Sequence, residues 1–405
     1  MIRKLLLGAC LVVPSAVFAQ GFQVNLQGQK QIGMASAGTG VAMDEAAVFF
    51  NPGAVSMLQK NGFSLGDSPL LLKSSFLQTG SSKVETNGNE VAPPFQGYAV
   101  WGPKSGKYKL GLGVYTPFGG LENWGDNWSG KYSLISLNLK AIYIQPTLSI
   151  KLSDRIGIGA GFVYNHGSVN LQRAVPITKS NGEDSKATLK GTGDGIGWNA
   201  GIYLKTESNI TIGISHRSKV VTKITDGDAI FELPASLQGG APTKFSSQLP
   251  LPATTTLGFG FYPSQKTTVA FDVNWVHWSV YKNLAFDYNT NAVIPNTNSP
   301  RNYSDAAAIR LGINHQATPK VDLRTGVGYA FTPVKDGYVT PETPDADRLI
   351  LSAGLGYKMT PKFRFDASFM YEGIKSRTQT NIESNLSGTF KTNVYIPGLS
   401  ITYQW

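Results

Sequence analysis

The most regular feature of the chain is a two-residue alternation of apolar and polar positions. From Ile142 to Leu152 the even positions are Ile142, Ile144, Pro146, Leu148, Ile150 and Leu152, and between them stand Tyr143, Gln145, Thr147, Ser149 and Lys151. A period of two predicts strands with one apolar and one polar face. The pattern returns in Trp198, Ala200, Ile202 and Leu204, in Val269, Phe271, Val273 and Trp275, and in Leu349, Leu351, Ala353, Leu355 and Tyr357. In a soluble sandwich the apolar face points inward. In a transmembrane barrel it faces lipid, and the polar or glycine face lines the lumen.

Carried along the chain, the alternation predicts about fourteen strands, near 62–77, 91–102, 108–116, 132–152, 156–175, 188–205, 210–225, 253–262, 267–288, 303–316, 321–332, 348–359, 363–379 and 388–405. Short turns at 103–107, 153–155, 206–209, 263–266, 317–320 and 360–362 are rich in Pro, Ser, Asp, Asn and Lys. Longer loops fall at 78–90, 117–131, 176–187, 226–252, 289–302, 333–347 and 380–387. The two classes alternate strictly. Bacterial barrels have short periplasmic turns and long extracellular loops, whereas a soluble β-protein has no reason for such alternation. An even count puts both termini in the periplasm. The last strand carries Leu399, Ile401, Tyr403 and Trp405 on one face and ends on the aromatic. A terminal aromatic is a feature that barrel-assembly machinery reads, so that machinery is an expected partner through Trp405. The expected fold is therefore all-β, a transmembrane antiparallel barrel over residues 61–405.

Composition removes the competing classes. Charged residues make up 15% of the chain, against about 25% in typical soluble domains. The 41% apolar content rules out a disordered polyelectrolyte. Past the leader no apolar run reaches the roughly 18 residues that a spanning helix needs. The leader itself reads as a secretory signal peptide over residues 1–19. Arg3 and Lys4 precede the apolar stretch from Leu5 to Val13, and small residues stand at Val17-Phe18-Ala19, with cleavage expected after Ala19. Leu7-Gly8-Ala9-Cys10 only faintly resembles a lipoprotein processing site, because the apolar core runs on past the cysteine. The single cysteine, Cys10, leaves with the leader, and disulfides and Cys metal sites leave with it. Losing Arg3 and Lys4 lowers the formal net charge from +10 by two, to +8. That excess can attract anionic lipid headgroups or fatty carboxylates; no basic run approaches a nucleic-acid patch. No cofactor or metal is expected.

Residues 20–60 do not alternate. They are small and polar up to Met43-Asp44-Glu45, and then run Ala46-Ala47-Val48-Phe49-Phe50-Asn51-Pro52-Gly53. Some forty residues ahead of the first strand need a place, and a polar Gly/Ala-rich segment fits a lumen as a plug, or hatch. Paired exposed aromatics argue against a disordered tail.

These segments resemble a known family. Gly21-Phe22-Gln23-Val24-Asn25, Gly33 with Ala35 to Gly38, and Phe49-Phe50-Asn51-Pro52-Gly53 are similar to the N-terminal hatch of the FadL/TodX outer-membrane transporters for long-chain fatty acids and aromatic hydrocarbons. Gly53 stands where that family usually has Ala. Thr116-Pro117-Phe118-Gly119, Trp128-Ser129-Gly130-Lys131-Tyr132, Arg217-Ser218-Lys219-Val220, Leu251-Pro252-Ala253-Thr254, Asp272 with Trp278-Ser279, and Thr332-Pro333-Val334 with Thr343 to Arg348 extend the resemblance along nearly the whole chain.

The resemblance implies passive transport of a hydrophobic small molecule across the outer membrane of a Gram-negative bacterium, by a monomer and without catalysis. The ligand would be captured between outer loops, bound inside the barrel and released sideways into membrane lipid at a kink in the third strand. Asn51, Pro52 and Gly53 with Phe49 and Phe50 would form the hatch turn. Phe118, Leu121, Trp124, Trp128 and Tyr132 are the groove candidates, and Arg173 and Arg301 the candidates for a fatty carboxylate. Gly111, Gly113 and Pro117 are the kink candidates, since Gly and Pro break ladders. The main rival is a diffusion porin, which needs a charged constriction and lacks a hatch. An enzyme is the weaker rival. His277 lies near Asp272 and Ser279 in sequence, but Asp272 is on the opposite face of the strand, so no triad forms locally.

Overall fold

A computed structural model describes residues 21–88, 90–103 and 106–405; the leader and its expected cleavage site lie outside them. The chain forms a closed antiparallel barrel of fourteen strands: β1 (62–78), β2 (84–101), β3 (Tyr108–Asn123), β4 (Ser136–Lys151), β5 (Ile156–Thr178), β6 (Asp184–Lys205), β7 (210–232), β8 (244–264), β9 (267–288), β10 (297–316), β11 (Val321–Ala330), β12 (Arg348–Lys358), β13 (363–380) and β14 (Ser387–Gln404). Strands given by numbers alone are interrupted. β14 closes on β1, with Tyr403 opposite Phe63 and Ile401 opposite Leu65. Leu148, Ile150, Phe162, Ile202 and Leu351 are exposed on the outer face, while Tyr143, Val163 and Tyr203 point inward and are buried. An apolar exterior around a filled interior is what lipid as a solvent requires.

The outer ends of several strands run further than the alternation indicates. β3 continues to Asn123, not 116, so Pro117, Phe118 and Leu121 belong to a strand rather than a loop. The hairpin between β5 and β6 closes at Thr178 and Asp184, and β7 and β8 reach 232 and 244. β5 and β6 have 23 and 22 residues, about twice what a tilted strand needs to cross a bilayer. Above the membrane the outward residues turn polar (Ser168, Asn170, Thr192), so the hydrophobic period stops while the hydrogen-bond ladder continues. The fourth strand errs the other way, starting at Ser136 rather than 132.

Residues 21–60 lie inside the barrel. They carry three one-turn helices, α1 (Gln29–Ile32), α2 (Ala47–Phe50) and α3 (Pro52–Val55). Their polar groups reach well-separated parts of the wall. Gln29 Nε2 donates to Ser368 Oγ on β13 at 2.5 Å, and the Gly38 and Thr39 amides donate to Asp272 Oδ2 on β9 at 2.9 and 3.0 Å. The Ser56 amide donates to Ser149 Oγ on β4 at 3.0 Å. A segment with so little regular structure must find its partners elsewhere, and here the barrel supplies them.

Candidate functional site

Among the described residues the wall opens as a window between β2 and β3, at prolines and a bulge. β2 and β3 pair only from Trp101↔Leu110 up to Gln96↔Tyr115. Above Gln96, Pro93 and Pro94 offer no N–H to a neighbour, and Val91–Ala92 keeps the pairing with β1 that the rest of β2 also makes. On β3 the register with β4 shifts between Tyr115 and Phe118, across Thr116-Pro117. The two strands meet again where the Gly88 amide donates to the Asn123 carbonyl at 2.6 Å. Between these limits the β3 edge is taken from inside by residues 22–24. The Val24 amide donates to the Pro117 carbonyl at 2.8 Å, and the Gly119 amide to the Phe22 carbonyl at 3.1 Å.

Three cavities lie between the outer loops and this window. The outer one, about 390 Å³, lies beneath the loops and is lined by Tyr132, Arg173, Leu284, Arg301 and Glu383. A central space of about 80 Å³ is mainly apolar, with Leu137, Leu139, Val169, Leu249 and Phe286 around it. The third, about 330 Å³, opens at the window and is lined by Val24, Leu26, Leu70, Leu121 and Val394. The outer and central spaces share Leu171, Leu284, Phe286, Arg301 and Glu342. The central and lateral ones share Phe22, Gly120, Leu139, Lys140 and Glu342. Phe22 stands at the second junction, packed edge-on against Trp278 at 4.7 Å and Tyr281 at 5.6 Å between ring centroids.

The groove candidates do not gather in one place. Phe118 is buried inside the barrel, edge-on to Trp278 and near Tyr143. Trp124 and Trp128 stack on each other at 4.6 Å and are buried, their indole N–H groups donating to the Pro341 and Leu134 carbonyls. They pack the outer loop against Phe76 and Phe390 and do not line an open groove. Leu121 borders the lateral cavity and Tyr132 the outer one, where Tyr132 donates to Asp184 at 2.9 Å. Of the kink candidates, Pro117 lies in the register break, while Gly111 and Gly113 are in regular register with Thr147 and Gln145. Those two glycines leave room for Val48 of α2, so crowding and not a kink accounts for them. Trp278 is wholly buried on the short turn that interrupts β9 after Val276, whereas Trp275 is exposed and His277 half-buried.

Both candidate cations line the outer cavity. Arg173 has no carboxylate within 4 Å among the described residues. Arg301 is buried and faces Glu342 at 3.5 Å and Glu383 at 3.9 Å. Arg217, which stands in a family-like segment but carries no role in the sequence reading, is a further functional candidate. This buried guanidinium lies 4.9 Å over the Phe49 ring and donates to Tyr115 Oη at 2.7 Å, Gln145 Oε1 at 2.9 Å and the Phe49 carbonyl at 3.3 Å. Its only local sign was a cation inside an alternating strand.

The Asn51-Pro52-Gly53 turn is fully buried. Asn51 Oδ1 accepts from the Gly53 amide at 3.0 Å, capping α3, while Nδ2 donates to the Thr39 and Ile202 carbonyls at 3.1 and 3.0 Å. Pro52 takes the first helical position, where a missing N–H costs nothing. A Cβ on Gly53 would sit 2.7 Å from the carbonyl oxygens of both Gly157 and Gly201. Glycine therefore stands where an alanine would push the turn off the wall.

The sequence model of the outer membrane protein transport protein family (OMPP1/FadL/TodX) matches residues 10–405. A long-chain fatty acid transport protein of Escherichia coli O6:H1 is 25% identical over 90% of this chain and 89% of its own. The crystal structure of a Pseudomonas aeruginosa FadL homologue superposes with a TM-score of 0.82 at 20% identity, covering 95% of this chain and 99% of that one. The Ralstonia pickettii toluene transporter TbuX does so at 0.69 and 17%, covering 93% and 98%.

Proposed function

The chain belongs to the outer membrane protein transport protein family (OMPP1/FadL/TodX), and on that footing we propose that it passively carries hydrophobic small molecules, long-chain fatty acids among them, into the outer membrane. Related proteins are named for long-chain fatty acids and for toluene, and members of the family are transporters rather than enzymes. In this reading the ligand is captured in the outer cavity, passes the central space and leaves sideways through the window between β2 and β3. The observation that carries it is the shared lining of the three cavities, ending at a β3 edge that residues 22–24 cover.

The energetics favour that route. Each buried CH₂ is worth about 0.8 kcal/mol, so an acyl chain avoids a wet channel and does best by exchanging protein for lipid directly. The central space is smaller than the roughly 150 Å³ that holds a benzene, so passage requires Phe22 to move aside. Residues 20–60 act as the hatch that blocks the straight path, with Asn51, Pro52 and Gly53 holding it to the wall. Arg173, uncompensated in the outer cavity, is the better of the two cations for a carboxylate. The termini lie in the periplasm, Trp405 is presented to the assembly machinery, and the protein works as a monomer.

The test is uptake by cells lacking their own transporters for these compounds. Cells expressing the protein should accumulate labelled hexadecanoic acid faster than cells without it, with no gain for a disaccharide. Equal gain for the disaccharide would make the protein a diffusion porin.

A further inference from the structure

We propose that Lys140 docks the headgroup of the leaving ligand at the window, which makes the exit selective for amphipathic carboxylates over neutral hydrocarbons. This rests on the lateral route above.

Lys140 is an exposed, outward residue of β4, paired across the ladder with Gly119 of β3. Glycine there places no side chain of its own between the lysine stem and the window. Lys140 borders the lateral cavity and the central space, and also an outward recess with Asn138, Ser168 and Asn170. Its position along the membrane normal is set by its neighbours. Going outward on β4, the outer face reads Ile144, Ile142, Lys140, Asn138, and on β5 it reads Phe162, Tyr164, His166, Ser168. The face changes from apolar to polar at Lys140, which is the depth at which a headgroup lies when its acyl chain is already in lipid.

Of the other cations near the path, Arg173 belongs to the outer cavity and Lys190 to the far side of the outward recess, and those nearest the window are paired. Arg301 faces Glu342 and Glu383, and Arg348, on the lateral cavity, holds Asp345 at 2.5 Å and Glu372 at 2.7 Å. In the recess, Asp226 and Asp228 are both engaged by Lys244 at 3.3 and 2.9 Å. Lys140 has no carboxylate within 4 Å among the described residues. A compact ammonium on a flexible apolar stem can follow a moving carboxylate while its methylenes stay against the wall. An alkane or arene gains nothing from it.

The experiment compares uptake of hexadecanoic acid and hexadecan-1-ol, ligands of equal chain length, in cells expressing the wild type, Lys140→Gln, Lys140→Glu or Lys140→Arg. An interaction of this exposed kind corresponds to a threefold to fivefold change at most, roughly. Lys140→Gln should slow acid uptake by about that factor and leave the alcohol unchanged. Lys140→Glu should slow the acid further, and Lys140→Arg should restore it. Equal slowing of acid and alcohol, or no change for either, would overturn the assignment. A wild type that imports the alcohol but not the acid would overturn it while leaving lateral transport standing. A wild type that imports neither would remove the transport reading itself.

Discussion

The lumen has two walls of opposite character. Along β3 to β8 the inward residues around the cavities are apolar or aromatic, among them Tyr143, Leu171, Leu189, Phe245 and Leu249. Along β9 to β13 they are buried charges: Asp272, Arg310, Arg324, Arg348, Asp366 and Glu372. Those charges pair across strands, Arg324 with Asp366 at 2.8 Å and Arg348 with Glu372 at 2.7 Å. Buried ion pairs add little net stability, but breaking one strands a charge, so they favour a single arrangement. The N-terminal segment is held in two ways. Residues 29–56 are tied by hydrogen bonds to both walls, at Ser352, Ser368 and Asp272 on one and at Ser149, Ile202 and Arg217 on the other, whereas Phe22 rests by packing on Trp278, Tyr281 and Phe118. Hydrogen bonds hold one geometry and apolar contacts tolerate sliding, so the side of the segment that must yield to a ligand is the packed one, around Phe22.

The largest effect should follow from removing what both walls hold. Deleting residues 20–55 should turn a protein without steady ion current in a planar bilayer into an open pore. Large steady current from the intact chain would deny that the segment closes the lumen. Next, Phe118→Ala should loosen the packed side, at a local cost of about 3–5 kcal/mol. Hydrogen exchange at residues 22–24 should quicken and apolar ligands pass faster, while conductance stays absent. Asp272→Ala should do the reverse. Losing an acceptor shared by two buried amides costs about 2–3 kcal/mol, and exchange should quicken at Gly38 and Thr39 but not at Val24. If the two substitutions loosened the same residues, the division between the packed and the hydrogen-bonded parts of the segment would fail.

The smallest effect concerns Glu45. Burial, reinforced by the neighbouring Asp44, pushes its carboxyl up, against the pull of Lys30 and of Gln404, which donates to it at 2.9 Å. A raised carboxyl pKa means that the folded protein binds this proton more tightly than the unfolded chain does, so stability rises as pH falls through the raised value. Glu45→Gln should therefore stabilise the protein at neutral pH, and the gain should vanish once the pH is below the ordinary carboxyl range. Thermal midpoints of the two proteins across pH would read this directly.

How much of this was legible in the sequence follows from the same physics. Lipid demands an unbroken apolar face, so the membrane-crossing parts of the strands announced themselves. Above the bilayer the outward face of β5 and β6 turns polar while Leu171 and Leu189 still point inward, so the lipid-facing pattern ends and their outer ends read as loop. Trp124 and Trp128 in a Gly-rich stretch looked like a free surface because nothing local reveals Phe76 and Phe390, their packing partners. Arg301 and Arg217 look alike as isolated cations; only the fold gives one two carboxylates and the other a Phe49 ring. Gly53 was visible as a departure from the family motif, but its reason lies in carbonyls more than a hundred residues away.

The central claim is lateral exit past a movable N-terminal segment, and one covalent bond tests it. Gln23 and Phe118 face each other as an isolated antiparallel bridge. Cysteines at both positions, in a mature chain that has none if cleavage follows Ala19, should form a disulfide holding the segment across the window. Uptake of hexadecanoic acid should stop in the oxidised double variant and resume on reduction, with the folded barrel unchanged. Equal uptake by the oxidised and reduced forms would show that ligands leave by another way.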